Sequence, residues 1–175
     1  MNIKVRSINF FFLRLKTLSL IGIIAMTSFS NAYAQLSLEE LKDPILAVKE
    51  MYFRKINPDV DAVTYFNGHL EFWTFDSLDK ETHSLRITSY QNQTFYMDIY
   101  IVQDEKLIYA LEEVKGMPLN HRTQSIWRCE YFIKDGQVID YTSLGHGKTE
   151  DGAWRSEDIL VQFRARKVEF DKIQK

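Results

Sequence analysis

Between positions 93 and 143 apolar and polar side chains follow one another with the period of two that marks a β-strand. In the run Phe95 to Val102, Phe95, Met97, Ile99 and Ile101 fall on one side, and Tyr96, Asp98, Tyr100 and Val102 on the other. Gln103-Asp104-Glu105-Lys106 then turns the chain into Leu107 to Leu111, predicting an antiparallel partner. The pattern resumes from Ile126 to Ile133 and, after Lys134-Asp135-Gly136-Gln137, from Val138 to Tyr141. Asp135-Gly136 is a strong hairpin signal, because a two-residue type I′ turn needs positive φ at both positions. An earlier hairpin is predicted from Ala62–Phe66 and Leu70–Phe75 about Asn67-Gly68, followed by a strand over Ser84–Tyr90. Superposing the Asp104 turn on the Asp135 turn would set Ile99 against Glu130 and Met97 against Arg128. A duplication would keep the buried face, so the hairpins belong to one meander.

Helical periodicity occupies the two ends of this β-rich stretch. Ser37-Leu38-Glu39-Glu40 fits a capping box, Asp43-Pro44 offers a second start, and Ile45, Val48, Tyr52 and Ile56 form a stripe that Asn57-Pro58-Asp59 ends. Near the other terminus Ser156 is the expected N-cap of a helix with Leu160, Phe163, Lys167 and Phe170 on one side. Its Arg164, Arg166 and Lys167, interspersed with Glu169 and Asp171, read as a solvated face. The expected fold is therefore α+β: an antiparallel meander of six to seven strands packed with an N-terminal and a C-terminal helix.

Residues 1–34 read differently. Lys4, Arg6, Arg14 and Lys16 precede a short apolar run, Leu18 to Met26, and Ala32-Tyr33-Ala34 supplies small residues for a signal peptidase, with cleavage expected before Gln35. The expectation is an exported protein, periplasmic or secreted, with one domain over 35–175 and no membrane span after cleavage. The residue directly after the expected cleavage is Gln35 and not a cysteine, so a lipoprotein anchor is not indicated. Loss of the four basic residues leaves 18 basic against 24 acidic, a net charge of −6. Such a surface is a poor partner for nucleic acid. Cys129 stands alone, so an intrachain disulfide is excluded and a buried, inert thiol is expected.

Candidate chemistry is sparse. The histidines, His69, His83, His121 and His146, show no metal-ligand spacing, and no cofactor motif is present. Gly147-Lys148-Thr149 lacks the earlier glycine of a phosphate loop, that position being Thr142. Asn92-Gln93-Thr94 is a glycosylation sequon of little weight. His146, with Glu150 and Asp151 nearby, and His121 are the weak catalytic candidates.

Aromatic residues carry more information, since tyrosine, phenylalanine and tryptophan make up 14% of the chain and crowd into the strands. Both strand faces are partly apolar, so either helices cover both sides or one face stays open as an aromatic surface. The first expectation is an exported, non-catalytic binding protein of the inhibitor, immunity or accessory type. It would act through Tyr96, Tyr100, Trp127, Tyr131 and Tyr141, or through loops 115–124 and 145–153, on a protein or a small apolar ligand. The alternatives are a small envelope hydrolase centred on a loop histidine and a carrier of an apolar ligand held between sheet and helices. An enzyme predicts titratable side chains converging in one pocket, a binding module an apolar patch, and a carrier an enclosed apolar cavity.

Overall fold

The computed structural model describes residues 36–174 apart from positions 58, 67, 118 and 120–124. The predicted leader, Asn67 at the first hairpin tip and His121 fall outside the described residues. Helix α1 (Leu38–Arg54) is followed by strands β1 (Ala62–Phe66), β2 (His69–Ser77), β3 (Thr82–Gln91), β4 (Thr94–Gln103), β5 (Lys106–Gly116), β6 (Ser125–Lys134) and β7 (Gln137–Gly145). A 3-10 turn over Lys148–Glu150 and helix α2 (Asp158–Ile173) complete the fold. All seven strands pair antiparallel in sequence order, which is the expected α+β meander at the upper end of its strand count.

Tight turns hold the order. Asn92 and Gln93, Asp104 and Glu105, and Asp135 and Gly136 all take positive φ, as two-residue turns matching the sheet's twist require. The second and third were expected; the Asn92-Gln93 turn was not, because nothing but its polarity separates it from the strands it joins. Asn92 of the sequon thus sits at a hairpin tip.

Three expected boundaries change. Helix α1 runs unbroken through Pro44, so Asp43 does not begin a second helix. Proline there removes one backbone donor, whereas the burial of Ile45 and Tyr52 favours continuing the helix across it. Helix α1 ends at Arg54, which leaves Ile56 of the predicted stripe beyond it and exposed. Helix α2 is capped at Glu157, not Ser156, whose carbonyl instead accepts a hydrogen bond from the Ile159 N–H.

The helices lie on opposite faces of the sheet. Helix α1 sets Ile45 and Tyr52 into a cluster with Ile99, Ile101, Tyr109, Leu111 and Phe132. At its rim Lys42 pairs with Asp140 at 2.6 Å and Lys49 pairs with Glu130. On the other face Ile159 of α2 joins Trp73, Leu85, Tyr100, Tyr131 and Ile133, with Phe163 against Tyr100 and Phe170 against Phe75 at centroid distances of 5.4 and 4.5 Å. Among the described residues no helix is long and apolar enough to cross a membrane.

Candidate functional site

Strand register decides which polar groups meet on the α2 face. Glu71 lies opposite Ser89, Ser89 opposite Tyr96, Asp98 opposite Glu112, and Glu112 opposite Cys129. Because alternate residues share a face, Glu71, Asp98 and Glu112 all point to the side that α2 covers. Glu71 and Glu112 are only 2% and 6% exposed, so each carboxylate must be compensated within the protein.

The compensation comes from α2 and from the loop after β7. Arg166 of α2 donates both terminal guanidinium nitrogens to Glu71, at 3.1 and 2.8 Å, while its guanidinium lies over the rings of Phe66 and Trp73. Glu112 accepts from Lys148 Nζ and from the Tyr131 hydroxyl, each at 2.6 Å. Gln162 of α2 bridges the remaining pair: its Nε2 donates to Asp98 at 3.0 Å and its Oε1 accepts from Lys148 at 3.4 Å.

Close backbone packing places Lys148. Gly145 has φ +80, and a Cβ there would run into the Ile126 carbonyl oxygen; a Cβ at Gly147 would strike the Trp127 indole. The loop can therefore fold flat over Trp127, whose Nε1–H donates to Ser143 and Thr149 hydroxyls at 3.2 and 3.1 Å. The Gly147-Lys148-Thr149 sequence thus supplies a counter-charge to Glu112 and a support for Trp127.

These groups line a half-open cavity of about 450 Å³ whose walls include Glu71, Asp98, Glu112, Tyr96, Trp127 and Arg166. Burial pushes the Asp98 carboxyl up to about 7, and the neighbouring Glu112 charge pushes the same way, against the opposing pull of Arg166 and Lys148. Asp98 is thus poised to exchange a proton near neutrality. Glu112, with its oxygens held by an ammonium and a phenol, sits one strand away.

The aromatic residues singled out from the sequence all lie on this face. Tyr96 and Trp127 line the cavity. Tyr131 reaches it through Glu112, and Tyr100 is buried beside Phe163. Tyr141 stands apart, half exposed and edge-on to Trp154 at 5.1 Å. His146 lines the rim with its Nδ1 2.6 Å from Glu150, and its side chain is 91% exposed. Asp151 accepts a hydrogen bond from the Ala153 N–H at 2.9 Å and serves the turn. Cys129 is buried, which pushes its thiol up to about 11 and away from nucleophile chemistry.

Sequence reading missed Glu71, Glu112, Lys148, Gln162 and Arg166 as a set. Their one visible trace is Asp98, an acidic residue in mid-strand on the same face as Tyr100 and Val102. Among the described residues no group of three or more His, Cys, Asp or Glu side chains is arranged to hold a metal ion. A second cavity of about 410 Å³ lies near the C-terminal half of α2, with Phe75, Leu85, Val102, Phe163 and Phe170 giving it apolar walls. Comparison with protein-family models, with curated proteins and with solved structures returns no match.

Proposed function

We propose that this chain is an exported binding protein for a small polar molecule, held in the cavity between α2 and the sheet. Export rests on the leader pattern of residues 1–34. The binding site rests on one observation: a cavity of ligand size whose walls carry three inward-facing strand carboxylates, two of them already matched by cations from outside the sheet. Folding alone favours an apolar interior, since a paired buried charge is at best a weak source of stability. A cleft whose largely apolar walls carry a few placed, partly neutralised charged groups is what recognition of a small polar molecule requires.

A thermal-shift screen of the full chain against a library of small polar metabolites tests the proposal. A ligand present at a hundred times its Kd stabilises by about 2.7 kcal/mol. The same compounds should fail to shift Ser89→Phe, which fills the cavity from β3. Screening hits that shift both proteins equally, or no hit with either, would count against the site.

A second reading, a small hydrolase, has an observation of its own. Asp98 and Glu112 are direct cross-strand neighbours, and the raised Asp98 carboxyl beside a hydrogen-bonded carboxylate is the arrangement of an acid–base pair. This moves the hydrolytic centre from His146 to the strands. Turnover of chromogenic glycosides or esters that disappears in Asp98→Asn would favour it over simple binding.

A further inference from the structure

The charges of the cavity point to the chemistry of its ligand. Glu71 holds both nitrogens of Arg166, and Glu112 holds Lys148 and the Tyr131 hydroxyl. Asp98 has a different partner, the neutral amide of Gln162, and among the described residues it forms no ion pair with a lysine or arginine. The site therefore keeps one carboxyl that Arg166 and Lys148 influence from a distance but no cation pairs directly. Tyr96 and Trp127 add aromatic walls.

A carboxylate with aromatic faces beside it suits an organic ammonium, which gains a charge-assisted hydrogen bond and a cation–π contact together. An anion would meet three carboxyl groups and two cations that are already engaged. A neutral polyol could be hydrogen-bonded there but would leave Asp98 without a direct ion-pair partner. Resting on the reading of this cavity as the ligand site, we infer that the ligand is a small organic amine whose protonated nitrogen pairs with Asp98 and whose carbon frame lies against Tyr96 and Trp127.

Proton linkage gives this pairing a signature. The amine selects the ionised carboxylate, so with Asp98 titrating near 7 its apparent affinity rises about tenfold between pH 6 and pH 8. The charged and titratable groups about Asp98 are Glu112 on β5, Glu71 and His69 on β2, Arg166 on α2, and Lys148 and His146 on the loop. Asp98→Asn tests whether Asp98 carries this dependence.

Isothermal titration of the full chain with benzylamine and agmatine, against benzyl alcohol and glucose as neutral probes, decides the matter. Expected are amine binding at pH 8 at least tenfold tighter than that of either neutral probe, a loss of about tenfold at pH 6, and loss of most binding and most pH dependence in Asp98→Asn. Folding of that variant is checked by its circular dichroism. A neutral probe that binds as well as the amines, or an Asp98→Asn protein that keeps their affinity, overturns the amine inference. If those probes remain sensitive to Ser89→Phe, the cavity stands as the ligand site and only the ligand class is wrong. If no amine binds, the inference falls as well, and the metabolite screen decides the site separately.

Discussion

The two faces of one sheet solve the problem of burial in different ways. Under α1 the strands present Ile99, Ile101, Tyr109, Leu111 and Phe132, and the ion pairs of Lys42 and Lys49 lie at the edge of that cluster. Under α2 only part of the face is apolar, where Phe163 and Phe170 meet Tyr100 and Phe75. The remainder brings Gln162 and Arg166 down onto strand carboxylates and leaves a cavity between them. Both helices cover the same sheet, so cover alone does not call for the second arrangement. The difference bears on the proposed function: α1 covers an apolar face, whereas α2 borders the cavity proposed as the ligand site.

Removing one charge from the α2 face should produce the largest effect. Arg166→Met leaves buried Glu71 without its bidentate partner and should destabilise by about 3–5 kcal/mol in urea unfolding. The double variant Glu71→Met/Arg166→Met should recover most of this, since an apolar pair of similar volume can replace a buried ion pair. Equal losses in the single and double variants would mean that the ion pair is not what holds β2 to α2.

On the opposite face Ile101→Ala, at a fully buried position, should cost about 3 kcal/mol while leaving ligand affinity unchanged. A coupled loss of binding would erase the proposed division between the faces. Gly145→Ala should cost about 2 kcal/mol, because alanine must take a positive φ and its Cβ collides with the Ile126 carbonyl. Loss of ligand affinity beyond that explained by stability would register the displacement of Lys148; unchanged affinity would dissociate the loop from the site.

Much of this architecture was legible in the pattern of apolar positions. The Asp135-Gly136 turn and the alternation from Phe95 to Val102 specify their hairpins through local physics: positive φ in one case, a two-residue repeat in the other. The site was less legible because its carboxylates interrupt that same alternation. Strand β5 was expected to end at Leu111, yet it continues to Gly116 through Glu112 and Glu113. Those glutamates point to opposite faces and are both buried. Glu112 is compensated by Lys148 and Tyr131, and Glu113 by Ser125 and by Lys115 at 2.9 Å. Apart from Lys115, these partners stand 12 to 36 positions away, and a local pattern contains no trace of them. The choice of face for each helix was equally hidden, since an amphipathic stripe records that a helix is covered but not which side of the sheet it covers.

The smallest expected effect on stability is a pH dependence that distinguishes the faces without altering packing. An aspartate whose folded-state value is raised from 3.8 to about 7 binds more protons in the folded state than in the unfolded state between those limits. Its contribution to stability is therefore greatest below about 4, falls as pH rises toward 7, and is flat above that. Openness of Asp98 to the cavity limits the total to about 1–2 kcal/mol. Asp98→Asn should lose this slope in urea titrations; a variant with an unchanged slope would assign it to other groups.

The most direct measurement is a carbon-13 NMR titration of the Asp98 side-chain carboxyl in the full chain, assigned by its absence from Asp98→Asn. The account predicts a midpoint near 7 that falls when benzylamine is bound, because a cation at the carboxylate favours its ionised form. A midpoint near the ordinary aspartate value of 3.8, unmoved by the amine, would contradict both the raised carboxyl and the site built around it.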